Sequence, residues 1–164
     1  MTDPNSTTPT SGTTRPAPTG DLDSPEQIAE MVRRFYLDVA QDDLLGPVFN
    51  DVAQVDWVEH LPKLASFWCR ALLGQPGYQG NPFRAHTMVH AQTPFTLAHF
   101  ERWLELFHDT VELGWAGPNA TRALTLAHNV AQVHSHQLVG TAVPTTLSPD
   151  PPVATTIARA TAPK

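Results

Sequence analysis

The chain has 164 residues, 16 of them proline, and its 10 Lys and Arg against 16 Asp and Glu give a formal charge of −6. This acidic balance disfavours nucleic acid as a partner, because phosphate binding relies on clustered Lys and Arg. The sequence has no apolar run of about eighteen residues and no basic-then-apolar secretory signal, so it predicts no membrane partner and a cytoplasmic location.

Both ends of the chain are dominated by Pro, Thr, Ser and Ala, over residues 1–22 and 141–164. Proline removes backbone donors, and few large apolar side chains are present to offset the entropy lost on ordering the chain. We therefore expect two disordered tails around one domain at residues 23–140. The single cysteine, Cys69, excludes an intramolecular disulfide, fits a reducing compartment and is expected to be buried.

The first predicted helix starts after Ser24, with Ser24 as N-cap, Pro25 at the first helical position and Gln27 completing a capping box. Apolar residues then recur at the three- and four-residue spacing typical of an amphipathic helix. They are Ile28, Met31, Val32, Phe35, Tyr36 and Val39. Gly46 and Pro47 are expected to break the chain after this helix.

A second helix is predicted after Asp56, which is suited to cap it. Pro62 lies inside the apolar pattern, where it removes a backbone hydrogen bond. We therefore expect the regular helix to begin near His60, after a looser turn, and to end at Gly74.

The rest of the domain is also predicted to be helical. Residues 74–93 are rich in Gly, Pro, Gln and Asn, which indicates a loop interrupted by one short helix at about residues 82–89. Thr96 is the expected N-cap of a strongly amphipathic helix, and Pro118 opens a last helix that runs to Gly140. No alternating strand pattern is present, so the sequence predicts an all-α domain of about five main helices with one long central loop.

Two histidines, His60 and His86, stand in aromatic-rich segments without companions at metal-site spacing. Zinc needs three or four converging ligands, typically from an H-E-x-x-H helix or a Cys/His cluster, and the chain has neither pattern. An iron porphyrin needs only one or two axial contacts, because the macrocycle supplies four nitrogens. One imidazole on each side of an apolar slot therefore favours a small haem protein.

Several aromatic and histidine motifs follow one another along residues 28–140. They are FY at 35–36, LGPVF at 45–49, WVEH at 57–60, FW at 67–68, Y-x-G-x-P-x-x-x-H at 78–86 and WLELF at 103–107. In this order they resemble the truncated haemoglobins, most closely the third, or P-type, group of these bacterial globins. The resemblance implies a globin-like fold, a truncated two-over-two helical sandwich enclosing haem, with a proximal segment reduced to a loop and one turn.

The resemblance implies that His86 is the proximal ligand to the iron of haem b. The other ring nitrogen of such a ligand should donate to a partner that fixes the ring, and the sequence does not identify that partner. His90, one helical turn later, is the main rival, but the Tyr-Gly-Pro-His spacing of the family motif selects His86. His90 is then expected to be a solvated or capping histidine.

On the distal side, the resemblance assigns Tyr36, His60 and Trp103 to the polar positions of the haem pocket. Each carries a hydrogen that can be donated to bound dioxygen, which holds partial negative charge. Judged without the resemblance, Tyr36 and Trp103 are ordinary core aromatics and His60 is a surface residue.

Further residues are expected around the haem. Phe49 should pack against it and Leu64 should present an apolar side chain to the ligand. The remaining assignments have alternatives: Phe67 and Trp68 wall either the pocket or the core, while Lys63 and Arg84 either pair with the haem propionates or are solvated. The other histidines show no repeating ligand spacing and predict no second metal site; they are His99, His108, His128, His134 and His136.

The expected function is binding of dioxygen, and of other diatomic ligands, at a His-ligated iron. Three potential donors predict tight retention, which argues against bulk oxygen delivery, since a carrier must release its ligand. A haem enzyme with peroxidase-like or nitric oxide dioxygenase activity is the alternative, and a reductase is an expected partner. A globin fold without haem is disfavoured, because it has no need of His86 together with the three distal side chains.

Overall fold

The computed structural model describes residues 18–145, in which five α-helices and one π-helical turn form the regular structure. The helices are α1 (Pro25–Gln41), α2 (Trp57–Leu73), α3 (Pro82–Gln92), α4 (Leu97–Gly114) and α5 (Pro118–Val139), and the π-helical turn is Val48–Val52. No strand occurs between residues 18 and 145, and the predicted all-α class is confirmed. No helix in this range is long and apolar enough to cross a bilayer.

The helices form two packed pairs. Helix α1 packs on α2, α5 packs on α4, and the pairs meet where α1 contacts α4. The predicted apolar face of α1 is fully buried, as are Leu104 and Phe107 of α4. Helix α5 presents small buried side chains, which allow a close approach of the facing helix: Ala120, Ala123, Ala127 and Ala131.

The capping box predicted for α1 is only half formed. Ser24 Oγ accepts from Gln27 N at 3.3 Å, as expected. The Gln27 side chain does not return to the cap, because its Oε1 accepts from Trp115 Nε1 at 2.6 Å. A buried indole N–H needs an acceptor, and this requirement decides where the amide points.

Helix α2 begins at Trp57, so the prediction of a start near His60 is wrong. Asp56 is the N-cap, as predicted, and its Oδ1 accepts from Val58 N at 3.0 Å. Pro62 lies in the second turn and leaves the carbonyl of Val58 without its helical donor. Val58 is 86% exposed, so water can replace the missing bond.

Two other boundaries differ from the sequence-based expectation. Helix α1 ends at Gln41, before the predicted break at Gly46 and Pro47, because the Asp42 carboxylate accepts from the next backbone N–H groups and forms a turn. Helix α3 runs from Pro82 to Gln92 and is longer than the predicted 82–89.

The inner ends of both predicted tails, beside the expected boundaries at residues 22 and 141, pack against the domain. Leu22 is fully buried, and so is Val143, whose N–H donates to Ser135 Oγ at 3.0 Å. The disorder predicted for residues 1–17 and 146–164 falls outside the described residues.

Asp21 holds the N-terminus of α5 from outside the helix. Its carboxylate accepts from Asn119 N at 3.0 Å, Ala120 N at 2.8 Å and Leu22 N at 2.8 Å. Gly117 permits this approach: its φ is 146°, and a Cβ there would lie 2.5 Å from Asp21 Cγ. Burial raises the pKa of Asp21, but the three backbone hydrogen bonds outweigh it and leave the pKa lowered.

We expect Asp21→Ala to lower the free energy of unfolding by about 1–2 kcal/mol, because it removes the cap of α5. The folded pKa is depressed, so this stabilisation is fully present above the unfolded-state value and is lost as pH falls through the folded one. Urea unfolding from neutral to acid pH measures the difference, with exposed Asp23→Ala as the control. Equal stability of Asp21→Ala and wild type at neutral pH would contradict the capping role.

Candidate functional site

A cavity of about 1010 Å³ is lined by all five helices, the π-helical turn and the loop before α3. This volume lies at the upper end of the roughly 300–1,000 Å³ common for small-molecule and cofactor sites. Of the site residues predicted from the sequence, all but Arg84 line the cavity: Tyr36, Phe49, His60, Lys63, Leu64, Phe67, Trp68, His86 and Trp103. Arg84 is exposed on α3 and does not contribute to the lining.

The π-helical turn places Phe49 in the cavity wall. Its ring lies 6.0 Å from that of Tyr36 and stacks on Trp57 at 5.9 Å. The Trp57 indole N–H donates to Asn50 Oδ1 at 3.3 Å, which ties the start of α2 to this turn. Turns with the wider π-helical bonding frequently occur at functional sites, because they redirect a side chain.

Tyr36 and Trp103 form a polar pair in a largely apolar wall. Burial raises the pKa of the Tyr36 hydroxyl far above its usual range, and side-chain hydrogen bonding from Trp103 opposes this rise only in part. Both side chains line the cavity, and the phenol O–H is available there as a donor. Trp103 is itself held by stacking on Phe107, with ring centroids 5.5 Å apart.

His60 lies on the first turns of α2, edge-on to Trp57 at 6.2 Å. Burial and the neighbouring Lys63 lower the pKa of its imidazole, so the neutral ring is favoured, with one donor and one acceptor nitrogen. Lys63 lies 3.9 Å from Glu59, and these side chains are 70% and 74% exposed. Such an exposed ion pair contributes little to stability and leaves the Lys63 ammonium at the cavity rim.

His86 of α3 contacts a second histidine, His134 of α5. Their Nδ1 atoms are 2.9 Å apart, and the two rings meet edge to face at 4.8 Å. Burial, followed by His134 and His60, lowers the pKa of His86 to about 4. Burial also lowers the pKa of His134, so both rings are neutral at physiological pH. The described residues provide no hydrogen-bond partner for the other His86 nitrogen, Nε2.

The sequence interpretation gave His134 no role, yet it is buried and lines the cavity. The sequence contains one indication that His134 is buried. It continues the three- and four-residue spacing of the small buried residues of α5, so an imidazole occupies an otherwise apolar face. Tyr78 was also left unassigned, although it belongs to the Y-x-G-x-P-x-x-x-H motif and lines the same cavity.

His90, the rival to His86, does not line the cavity. Its Nδ1 accepts from Phe95 N at 2.9 Å, so it caps the turn between α3 and α4. His99 has a similar role at the start of α4, where its Nδ1 accepts from Thr96 N at 3.0 Å. Thr96 is the N-cap of α4, as predicted.

The donor set of the cavity suits a group that brings most of its own metal ligands. Between residues 18 and 145, no three side chains of His, Cys, Asp or Glu converge as a bare metal ion would require. The cavity instead offers single imidazoles from four helices, α2 to α5, among aromatic and aliphatic walls.

Comparison with known proteins agrees with this arrangement. A model of the bacterial-like globin family matches residues 22–136, well over half of the chain. Group 3 truncated hemoglobin ctb of Campylobacter jejuni is 36% identical over 91 residues, which is 54% of this chain and 69% of that protein. The crystal structure of group III truncated hemoglobin from Campylobacter jejuni matches with a TM-score of 0.63 at 32% identity, covering 70% of this chain and 91% of the other. The predicted truncated globin fold is confirmed.

We expect His90→Ala to lower the free energy of unfolding by about 0.5–1.5 kcal/mol, because it removes the acceptor of the Phe95 N–H. His90→Asn should retain most of the stability, since its Oδ1 can occupy the place of Nδ1. Thermal or urea unfolding measures both variants, and exposed His136→Ala is the matched control. Wild-type stability in His90→Ala would contradict the capping assignment.

Proposed function

Because the chain belongs to the bacterial-like globin family, we propose that it binds haem b in the cavity, with His86 as iron ligand, and takes dioxygen as its principal diatomic ligand. The family supports haem and diatomic ligands in general. The observation that carries the finer proposal is the neutral His86 ring. Its Nδ1 is hydrogen-bonded to His134, and its Nε2 has no hydrogen-bond partner among the described residues. The similarity to a truncated hemoglobin of Campylobacter jejuni, in sequence and in structure, further supports dioxygen.

The residues around the cavity fit a haem. Phe49, Leu64, Phe67 and Trp68 provide apolar surface for a macrocycle, and the cavity volume of about 1010 Å³ suits a large planar group. An iron-binding imidazole must be neutral at the coordinating nitrogen, and the lowered pKa of His86 meets that condition. Lys63 at the rim is the nearer of the two predicted propionate partners, since Arg84 does not reach the lining.

Haem, when bound, would supply a ferrous iron that takes a diatomic ligand, and His86 would hold that iron. The Tyr36 O–H would be placed to donate to the partial negative charge on such a ligand, and the neighbouring Trp103 would help to position the phenol. His60 adds a neutral imidazole that can donate from α2. The walls around these donors are largely apolar, and a less polar surrounding strengthens a hydrogen bond.

Haem titration tests the iron ligand. We expect the purified chain to give a one-to-one complex with a Soret band, and His86→Ala to change that band and lose haem at least about tenfold faster. His99→Ala is the control, because His99 lines the same cavity but is engaged with Thr96 N. No Soret band in wild type, or an unaltered band in His86→Ala, would contradict the assignment.

Dioxygen release tests the distal donor. A hydrogen bond to a charged group contributes about 1.5–3 kcal/mol, so Tyr36→Phe should raise the dissociation rate about 10- to 100-fold. Trp103→Leu should raise it too, since the phenol loses its fixed partner. Tyr78→Phe removes another hydroxyl from the cavity and should have little effect. Stopped-flow release that is fast in wild type and unchanged in both distal variants would refute the donor role.

A peroxidase-like or nitric oxide dioxygenase activity is the second candidate, favoured by the polar pair Tyr36 and Trp103 together with a hydrogen-bonded His86. Polar distal groups assist O–O cleavage, and tight retention of dioxygen argues against bulk transport. This function needs a reductase, for which we propose a cytoplasmic partner. Turnover of peroxide with a reductant, or of nitric oxide, must exceed that of free haem for the candidate to stand.

A further inference from the structure

We propose that His134 is a positioning residue that fixes His86 by accepting a hydrogen bond from its Nδ1–H. The inference rests on the proposed function, in which Nε2 of His86 binds the iron. His134 is then the hydrogen-bond partner of the His86 nitrogen that does not bind iron, a partner that local motifs in the sequence did not reveal.

The hydrogen-bond direction follows from the chemistry of two neutral rings. Nδ1 atoms 2.9 Å apart share one hydrogen, so one ring donates and the other accepts. If His134 donated, the hydrogen of His86 would be on Nε2, and that atom would have no lone pair for iron. If His86 donates, its Nε2 lone pair is free. Only the second arrangement gives an iron ligand, and it places the His134 hydrogen on Nε2.

The acceptor residue, His134, is held in place by its surroundings. His134 is 9% exposed, and its ring also lies 5.4 Å from that of Phe83 on α3. The neighbouring Ser135 is completely buried, and its Oγ accepts from Val143 N at 3.0 Å. The C-terminal turns of α5 are therefore held both by packing and by the segment that follows the helix.

Helix α3, by contrast, has little support of its own. None of its residues is buried, and its main contacts with other helical elements are to α5 and the π-helical turn. The ring of His86 also meets Phe95 edge-on at 6.2 Å, but that contact cannot select a tautomer. The hydrogen bond to His134 is thus the interaction that both orients the ring and determines which nitrogen faces the cavity.

The acceptor also sets how strongly His86 donates electrons to the iron. A hydrogen bond at Nδ1 raises the basicity of Nε2, and a charged acceptor raises it more than a neutral one. A neutral imidazole acceptor should raise the basicity of Nε2 more than an apolar side chain and less than a carboxylate. Replacing His134 by an apolar side chain, a neutral amide or a carboxylate should therefore produce a graded series.

The test compares His134→Leu, His134→Asn and His134→Asp in the haem-loaded chain. The readouts are the iron–histidine stretch in the resonance Raman spectrum and the rate of haem loss to a scavenger. We expect His134→Leu to lower and broaden the stretch and to speed haem loss about 10- to 100-fold. His134→Asn should restore both, because its Oδ1 can replace Nδ1 as acceptor, and His134→Asp should raise the stretch above wild type. Exposed His136→Leu, on the same helix, is the matched control.

Two outcomes overturn the proposal. Wild-type behaviour of His134→Leu would show that the hydrogen bond does not act on the ligand. Identical defects in His134→Leu and His134→Asn would show that the imidazole acts only by packing.

A haem-free measurement separates this inference from the proposed function. Nitrogen-15 NMR of the full chain without haem should show the Nδ1–H tautomer for His86, and a shift towards Nε2–H in His134→Leu. This result supports the positioning role even if the Soret assay fails. An Nε2–H tautomer in wild type would overturn it while leaving haem binding to be judged by that assay.

Discussion

The domain depends on a stack of aromatic rings at the point where its helix pairs meet. Phe107 of α4, completely buried, stacks on Trp68 of α2 at 4.9 Å and on Trp103 of its own helix at 5.5 Å. Phe35 of α1 closes the group edge-on to Phe107 at 5.1 Å. Rings of this size bury large apolar areas at one point. They hold three helices together, so a large cavity can remain beside them.

The stack joins stability to function, because Trp68 and Trp103 belong to the core and also line the cavity. The side formed by α1, α2 and α4 is consequently firm, and Tyr36 packs within it against Phe35 and Trp57. The opposite side depends on α3, which has no buried residue and whose His86 is fixed through α5. The wall formed by α1, α2 and α4 is thus held by packing, whereas the orientation of His86 on the opposite wall depends on its hydrogen bond to His134.

Much of this could be predicted from the sequence, where the signal is local. Helix caps such as Ser24 and Asp56 act over three residues and could be predicted. Of the site residues predicted from the sequence, all but Arg84 line the cavity. Apart from helix ends such as the start of α2, what could not be predicted involves partners far apart in the chain. The Asp21 cap spans 98 residues, the bond from Trp115 to Gln27 spans 88, and the histidine contact spans 48. Only tertiary packing brings these groups together, and no local pattern encodes it.

In the proposed function, one imidazole, that of His86, connects this chain to its haem. The most direct measurement is the resonance Raman spectrum of the ferrous His86→Gly protein, recorded with and without added imidazole. We expect the iron–imidazole stretch to be lost in this variant and to return when imidazole occupies the vacated space. A native stretch that persists in His86→Gly without imidazole would show that another histidine binds the iron and would refute the assignment of His86.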